Sequence, residues 1–317
     1  MLHLDIFLKN YWETQSDEFG YVKYEEHFTE EEPCNIYIIG IRPRVIIDPT
    51  SLNQNGRQIE LKFKIQNKFE FDEITVIMDL NRDVIGQLLI ESEEPYSRFN
   101  LKDDNGYFYD KSLYSTKVAI EGKSMYALRQ TSHLSTEKFN DFEVLYIGKS
   151  LKMDKVTSPV KRLESHSKFQ KILDKCTKKY FDKEVYIILC SFVYKINMVT
   201  MSENLRGVGS WETMKKRYRN DLIELNADRP FVTQVAEAML IDYFDTREFN
   251  QDFIGSFGRS THTYTSRIEK SKISKIILEV DLSKLCRIYS KTIPRKFQHF
   301  VEYKPTDNYK KEIHEIS

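Results

Sequence analysis

The chain has few features that would place it in a special class of protein. Its four cysteines lie far apart in 317 residues and lack the pair spacing of a metal site. We therefore expect reduced thiols and a cytoplasmic protein. There is no run of about 18 or more apolar residues, which argues against a membrane-spanning helix. Residues 1–5 also lack the basic and then apolar layout of a signal peptide.

Apolar and aromatic residues, by contrast, are abundant enough to form real cores. Hydrophobic residues make up 40% of the sequence, and Phe plus Tyr account for 39 of the 317 residues. Disorder over most of the chain is therefore not expected. The length favours two domains.

The formal net charge of zero conceals a difference between the two parts of the chain. Residues 1–120 hold 13 Lys and Arg against 22 Asp and Glu, and residues 121–317 hold 35 against 26. The balance is therefore −9 in the first part and +9 in the second. A basic second part suits a domain that binds polyanions. The same asymmetry also fits an interaction protein whose basic part docks on acidic protein surfaces, including its own first part.

The N-terminal part is predicted to be rich in β-strands. Residues 59–65 alternate between apolar and polar side chains, and this period of two indicates a strand with one buried face. Further strand signals lie at residues 35–40, 45–47, 71–80 and 84–91. We predict a β-rich domain over residues 1–118, with a role in targeting, sensing or assembly.

From about residue 119 onward, strand and helix signals alternate. Strands are predicted over residues 125–129, 142–147, 185–194, 276–280 and 286–292. Helices are predicted over residues 160–179, around 211–225, and from a cap at Thr233 through Glu237. We predict an α+β domain over residues 119–317, with an insertion over about 197–229 and an extension over about 255–317.

This second part contains, in order, residue types that phosphodiester hydrolysis needs. They are Tyr146, Ile147 and Gly148 at the end of an apolar strand, Arg162 and His166 one turn apart on the basic helix, Glu237 on the later helix, and Asn250 beyond it. The order resembles the GIY-YIG nuclease superfamily over residues 124–253. The resemblance implies a three-stranded antiparallel sheet flanked by helices, with two tyrosines facing one groove.

The first half of the family signature is a departure in this chain. No Gly-Ile-Tyr occurs upstream of Tyr146. The best substitute is Tyr126, in Ser-Met-Tyr, and Tyr114 is a weaker alternative. The stretch between Tyr146 and Arg162 is also longer than a minimal domain of this family needs.

The resemblance assigns catalytic roles to five residues, and their chemistry suits those roles. Arg162 presents a planar, permanently charged fork to the scissile phosphate. His166, one helical turn away, can carry a proton near neutral pH. Glu237 would be the carboxylate that holds one Mg²⁺ or Mn²⁺ ion. Tyr126 or Tyr146, once deprotonated, could activate water.

Three further residues are predicted to contact the substrate. Gly148 leaves space for the backbone to approach a phosphate. Lys149 adds a positive charge beside it, and Asn250 matches a late asparagine of the family.

These features together predict a metal-dependent endonuclease that acts on DNA, in restriction or in defence against phage. One active site cuts one strand, so cleavage of both strands would require a homodimer or two successive nicks. The alternative is a catalytically inactive nucleic-acid-binding or protein-interaction module on the same fold, and the missing Gly-Ile-Tyr favours it.

Overall fold

The structure is a computed structural model. It describes residues 2–19, 27–81, 83–84, 86–108, 122–131, 138–150, 163, 167–198, 216, 219–220, 228–253, 255–259, 262–271, 273–305 and 310–314. The chain divides into two compact units. Unit 1 consists of Met1–Gly40, Glu143–Phe169 and Tyr186–Ser317, and unit 2 consists of Ile41–Phe142 and Gln170–Val185.

Strands and helices both contribute to the fold, as the coarse prediction of an α+β protein states, and strands predominate. The strands are β1 (Leu2–Thr14), β2 (Ile36–Pro43), β3 (Val45–Ile47), β4 (Asn53–Asn55), β5 (Gln58–Asn67), β6 (Glu70–Asp79), β7 (Leu89–Glu91), β8 (Arg98–Asp103), β9 (Gly106–Phe108), β10 (Gly122–Lys123), β11 (Phe142–Lys149), β12 (Lys183–Met198), β13 (Ile273–Asp281), β14 (Ile288–Tyr289), β15 (Gln298–Lys304) and β16 (Lys310–His314). The α-helices are α1 (Ser124–Thr131), α2 (Ser167–Lys179), α3 (Arg229–Phe244) and α4 (Thr265–Lys270). No helix among the described residues is long and apolar enough to cross a membrane.

The framework of unit 1 is an eight-stranded sheet in the order β14-β11-β2-β12-β1-β13-β15-β16. The sheet is mixed, because β1 pairs antiparallel with β12 and parallel with β13. Strand β2 is buried at seven of its eight residues. Such burial fits a central strand with both faces covered, which its nearly continuous apolar sequence permits.

Helix α3 carries the predicted metal ligand and belongs to the core of unit 1. Asp228 caps its N-terminus by accepting a 2.9 Å hydrogen bond from the Phe231 N–H, and Pro230 occupies the first turn. The helix therefore begins before Thr233, and the predicted cap at Thr233 is wrong. Twelve of its 16 residues are buried, as expected for a helix with apolar side chains on most sides.

Unit 2 contains two small sheets, helix α1 and most of helix α2. In one sheet β5 pairs with β3, β4 and β6, and in the other β8 pairs with β7, β9 and β10. The strand predicted over residues 125–129 is wrong, because Ser124–Thr131 is helical. Met, Ala, Leu, Arg and Gln in this stretch favour a helix, and a short apolar run leaves the two alternatives unresolved in sequence.

The units do not follow the predicted boundary between residues 118 and 119. Strands β1 and β2 come from the first part of the chain, yet they lie in one sheet with β11 to β16. The chain leaves unit 1 within β2, after Gly40, and returns to it with β11. It leaves unit 1 again for Gln170–Val185. Unit 2 contains 19 basic and 19 acidic residues, and unit 1 contains 29 of each. The charge difference along the sequence is therefore not a difference between the units.

Candidate active site at the Tyr-Ile-Gly strand

Two tyrosines lie side by side on the neighbouring strands β2 and β11. Tyr146 is on β11, and Tyr37 on β2 stacks against it with ring centroids 6.1 Å apart and an interplanar angle of 29°. Tyr37 is 1% exposed and Tyr146 is 6% exposed. The strand beside the Tyr-Ile-Gly motif therefore contributes a tyrosine that the sequence analysis had not assigned to the site.

Tyr37 follows Asn35 and Ile36, so this stretch matches Gly-Ile-Tyr at its last two positions. The predicted first tyrosine, Tyr126, lies instead on α1 within unit 2, where the Arg129 guanidinium stands 5.2 Å from the centre of its ring. The weaker alternative, Tyr114, lies outside the described residues. The signal for Tyr37 was present in the sequence, in the apolar run at residues 35–40, but the Ile41–Phe142 segment of unit 2 separates it from Tyr146.

Asn35, the residue before β2, is held by hydrogen bonds to two neighbouring segments of the chain. Its side-chain amide donates to the Phe192 carbonyl at 2.7 Å and accepts from the Phe192 N–H at 2.9 Å. Its carbonyl accepts from the Ser150 N–H at 3.0 Å, just beyond β11. Asn35 is 2% exposed, so these bonds satisfy a buried amide that would otherwise be costly.

Gly148 lies directly against the Tyr37 ring. A Cβ atom at this position would stand 2.4 Å from Tyr37 Cζ, 2.5 Å from its hydroxyl oxygen and 2.8 Å from Cε2. Real Cβ contacts are not that short, so any side chain would displace the ring. This geometry explains why position 148 is a glycine: the missing side chain makes space for the Tyr37 ring. The predicted role of Gly148 was to let the backbone approach a phosphate.

Asn250 holds the middle residue of the Tyr-Ile-Gly motif. Its Oδ1 accepts from the Ile147 N–H at 3.1 Å, and its Nδ2 donates to the Ile147 carbonyl at 2.7 Å. The Thr246 hydroxyl donates to the same Oδ1 at 2.9 Å. Asn250 is buried at 7% exposure and is engaged with the strand, which gives it a positioning role.

Glu237 reaches the end of β11 from the third turn of α3. Its Oε1 accepts from the Lys149 backbone N–H at 3.1 Å, and its Oε2 pairs with Lys149 Nζ at 2.9 Å. The Glu237 side chain is 18% exposed and that of Lys149 is 36% exposed. A carboxylate and an ammonium group thus meet beside Gly148 at the edge of the solvent.

The Glu237 carboxylate could also coordinate a cation. Among the described residues there is no group of three or more His, Cys, Asp or Glu side chains arranged to hold a metal ion. Mg²⁺ needs only one or two carboxylates when phosphate oxygens and water complete its coordination. A single glutamate therefore fits an ion that is shared with a phosphate substrate.

One cysteine beside the end of β11 has an unreactive thiol. The carbonyl of Cys34 accepts a hydrogen bond from the Ser150 hydroxyl just beyond β11. Complete burial raises the pKa of the Cys34 thiol to about 12. Because the thiolate is the reactive form, this cysteine is not a nucleophile at neutral pH.

The structure thus brings together Tyr146, Gly148, Lys149, Glu237 and Asn250 in unit 1. Arg162 and His166, predicted to bind the phosphate and to carry a proton, lie outside the described residues.

Comparisons of the chain with models of known protein families, with curated proteins and with solved structures found no match.

Proposed function

We propose that this protein is a metal-dependent endonuclease that hydrolyses phosphodiester bonds in DNA, with a catalytic site of the GIY-YIG kind. The stacked pair Tyr37 and Tyr146, with Glu237 at the end of the same strand, carries the proposal. The family resemblance requires two tyrosines and one carboxylate, and these residues supply them. Tyr37 therefore replaces Tyr126 as the proposed first tyrosine.

Each residue of the site has a task in this proposal. Tyr37 or Tyr146, once it has released its own hydroxyl proton to solvent, would take a proton from the attacking water, because a phenolate oxygen is a sufficiently strong base for that step. Lys149 turns from Glu237 towards a phosphate oxygen. Arg162 and His166 keep the phosphate-binding and proton-carrying roles that the resemblance implies. Asn250 and Asn35 act indirectly, since they fix the two strands on which the tyrosines lie.

Glu237 would hold the Mg²⁺ or Mn²⁺ ion. The bound ion would supply positive charge for the phosphate oxygens as negative charge develops on them. The ammonium group of Lys149 forms an ion pair with the Glu237 carboxylate. Substrate and metal ion together would have to displace this ammonium group before the ion could bind.

Nicking of supercoiled plasmid by the purified full-length chain tests this function. We expect Mg²⁺-dependent nicking that EDTA abolishes and that Glu237→Gln reduces to background. The matched control is Glu269→Gln, which removes an exposed carboxylate on α4 and should cut like the wild type. Melting temperatures of both variants would establish that they are folded. A Glu237→Gln protein that nicks at the wild-type rate would remove the metal assignment.

A second function, binding of nucleic acid or protein without catalysis, is supported by two observations. Both tyrosines are nearly covered, and Glu237 already has an ammonium partner in Lys149. This alternative expects DNA binding that weakens with salt, because phosphate contacts release counterions, and no nicking with either metal. Capture of protein partners without DNA binding would favour an interaction module.

The biological setting that we propose for the nuclease is restriction or defence against phage DNA. A catalytic unit interrupted by a second, strand-rich unit suits an enzyme that must select its target. Cleavage of both strands would require a homodimer or two successive nicks.

A further inference from the structure

Five aromatic rings form a column in unit 1, from the core towards the surface. In order they are Tyr303, Phe257, Tyr264, His262 and Phe253. The three contacts from Phe257 outward are stacked, with interplanar angles of 17°, 9° and 18° and centroid separations of 5.3, 5.2 and 5.0 Å. Nearly parallel, offset rings at these distances resemble a stack of bases.

The inner end of the column is fixed. Tyr303, Tyr264 and Phe257 are at most 3% exposed. The Tyr303 hydroxyl donates to Asp242 Oδ2 at 2.6 Å, and the Phe257 N–H donates to Asp242 Oδ1 at 3.3 Å. Asp242 belongs to the buried helix α3, so the column rests on the rigid part of the unit.

The outer end of the column differs from the inner end. Phe253 and His262 are partly exposed. They stack on each other although they lie in two different stretches of the loop between α3 and α4. If Phe253 and His262 served only to fill the hydrophobic core, their rings would not need to lie parallel and partly exposed at the surface.

Two hydrogen bonds connect this outer end with the proposed active site. The Phe253 N–H donates to the Asn250 carbonyl at 2.9 Å, and the Asn250 side chain binds Ile147 between Tyr146 and Gly148. Gln234 Nε2 donates to the Thr263 hydroxyl at 2.7 Å, and Gln234 lies one turn before Glu237 on α3. Three residues span at most about 10 Å, so Phe253 lies within a few nucleotides' length of Asn250.

We propose that Phe253 and His262 form a platform on which a nucleobase of the substrate stacks, close to the bond that is cut. The inference rests on the proposed function and specifies its substrate class. A base can stack on a side chain only when it is unpaired, so the substrate has single-stranded or locally opened DNA at this position. Arg259, exposed on the same loop, adds a positive charge for the adjoining backbone.

Fluorescence of 2-aminopurine in an oligonucleotide tests the platform separately from cleavage. The full-length chain carrying Glu237→Gln would be titrated into single-stranded oligonucleotides with the probe at successive positions. We expect quenching of the probe at one or two adjacent positions. Phe253→Leu should abolish this quenching and weaken single-strand binding about tenfold, within the range of base–aromatic stacking.

Two further variants make the result specific. Phe253→Trp keeps an aromatic face and should preserve the quenching, whereas Phe300→Leu, at another partly exposed phenylalanine of unit 1, should leave it unchanged. If the oligonucleotide binds equally well to the Glu237→Gln chain with and without Phe253→Leu, and gives the same probe signal, the platform is overturned while the nuclease proposal stands. If the wild-type chain binds neither single-stranded nor duplex DNA, the proposed function fails and the platform fails with it.

Discussion

At the scale of single residues, steric fit and buried hydrogen bonds explain the composition of the Tyr-Ile-Gly strand. Gly148 has no side chain where the Tyr37 ring lies. The Asn250 side chain forms hydrogen bonds with the backbone N–H and carbonyl of Ile147. Both effects fix the position of the strand and of Tyr146. Precise placement of catalytic groups depends on such supporting contacts.

The contact between Gly148 and Tyr37 predicts the effect of Gly148→Ala. The added methyl group overlaps the ring, so we expect a loss of about 1–3 kcal/mol in the free energy of unfolding. Urea denaturation of the full-length chain measures it. In a Tyr37→Leu background the ring is absent, and Gly148→Ala should then cost clearly less. Equal costs in the two backgrounds would mean that the overlap with Tyr37 is not the cause.

The sequence was sufficient to predict those site residues that belong to a local pattern. Tyr146 and Gly148 end an apolar strand, and Glu237 lies on a helix with strong apolar character, so their order along the chain was informative. Tyr37 could not be identified in this way, because pairing between β2 and β11 leaves no periodic signal across the intervening unit. Proximity to Tyr146 along the sequence therefore favours Tyr126 over Tyr37.

At the scale of secondary-structure elements, a neutral histidine joins helix α3 to strand β15. The Tyr243 hydroxyl lies 3.0 Å from His299 Nδ1, and His299 Nε2 lies 3.1 Å from the carbonyl oxygens of Ile288 and Lys296. Two carbonyls require an N–H at Nε2, so Nδ1 accepts from Tyr243. Burial raises the pKa of Tyr243 to about 12, which keeps it the donor, and lowers the pKa of His299 to about 4.

The lowered pKa of His299 predicts loss of stability in acid. Between pH 6.5 and about 4 the unfolded chain binds a proton at this residue that the folded chain does not, so the free energy of unfolding falls as the pH falls. The shift of the pKa from 6.5 to about 4 corresponds to a loss of about 2 kcal/mol in the free energy of unfolding at pH 5, relative to neutral pH. Urea denaturation at pH 5 and 7.5 measures it, and His299→Gln should reduce the difference by about this amount. A variant with the wild-type pH dependence would contradict the role of His299.

Strands were predictable from the sequence where buried apolar and exposed polar side chains alternate along the chain. Strand β5 follows its apolar and polar alternation, with Ile59, Leu61 and Phe63 buried. Strand β1 has the same signal in Leu2, Leu4 and Ile6, yet it was not among the predicted strands. Helix α1 was assigned as a strand because eight residues are too few for a helical period to stand out.

At the scale of the whole molecule, the central point is that the large sheet is assembled from distant parts of the chain. Strand β2 lies between β11 and β12, and β1 lies between β12 and β13. The first 43 residues thus supply two strands within the sheet. Composition and charge along the sequence do not show which distant strands pair. The domain boundary predicted between residues 118 and 119 therefore differs from the observed division into two units.

This arrangement predicts that residues 119–317 do not form a folded domain by themselves. Without β1 and β2, strands β11, β12 and β13 lose neighbours that satisfy their backbone hydrogen bonds and cover their apolar faces. We expect the fragment to be insoluble, or soluble without a cooperative thermal transition by circular dichroism. The full-length chain is the control. A fragment with a sharp transition close to that of the full-length chain would contradict the sheet order.

A comparison of Tyr37→Phe with Tyr126→Phe in the plasmid-nicking assay tests the proposed active site most directly. Each change removes one hydroxyl group and keeps the ring, so packing is altered little. If Tyr37 is the first tyrosine of the site, Tyr37→Phe should lower the Mg²⁺-dependent nicking rate by about 10²-fold or more, as expected for loss of a general base. Tyr126→Phe should nick at the wild-type rate. Wild-type activity in Tyr37→Phe, with activity lost in Tyr126→Phe, would contradict the proposed site.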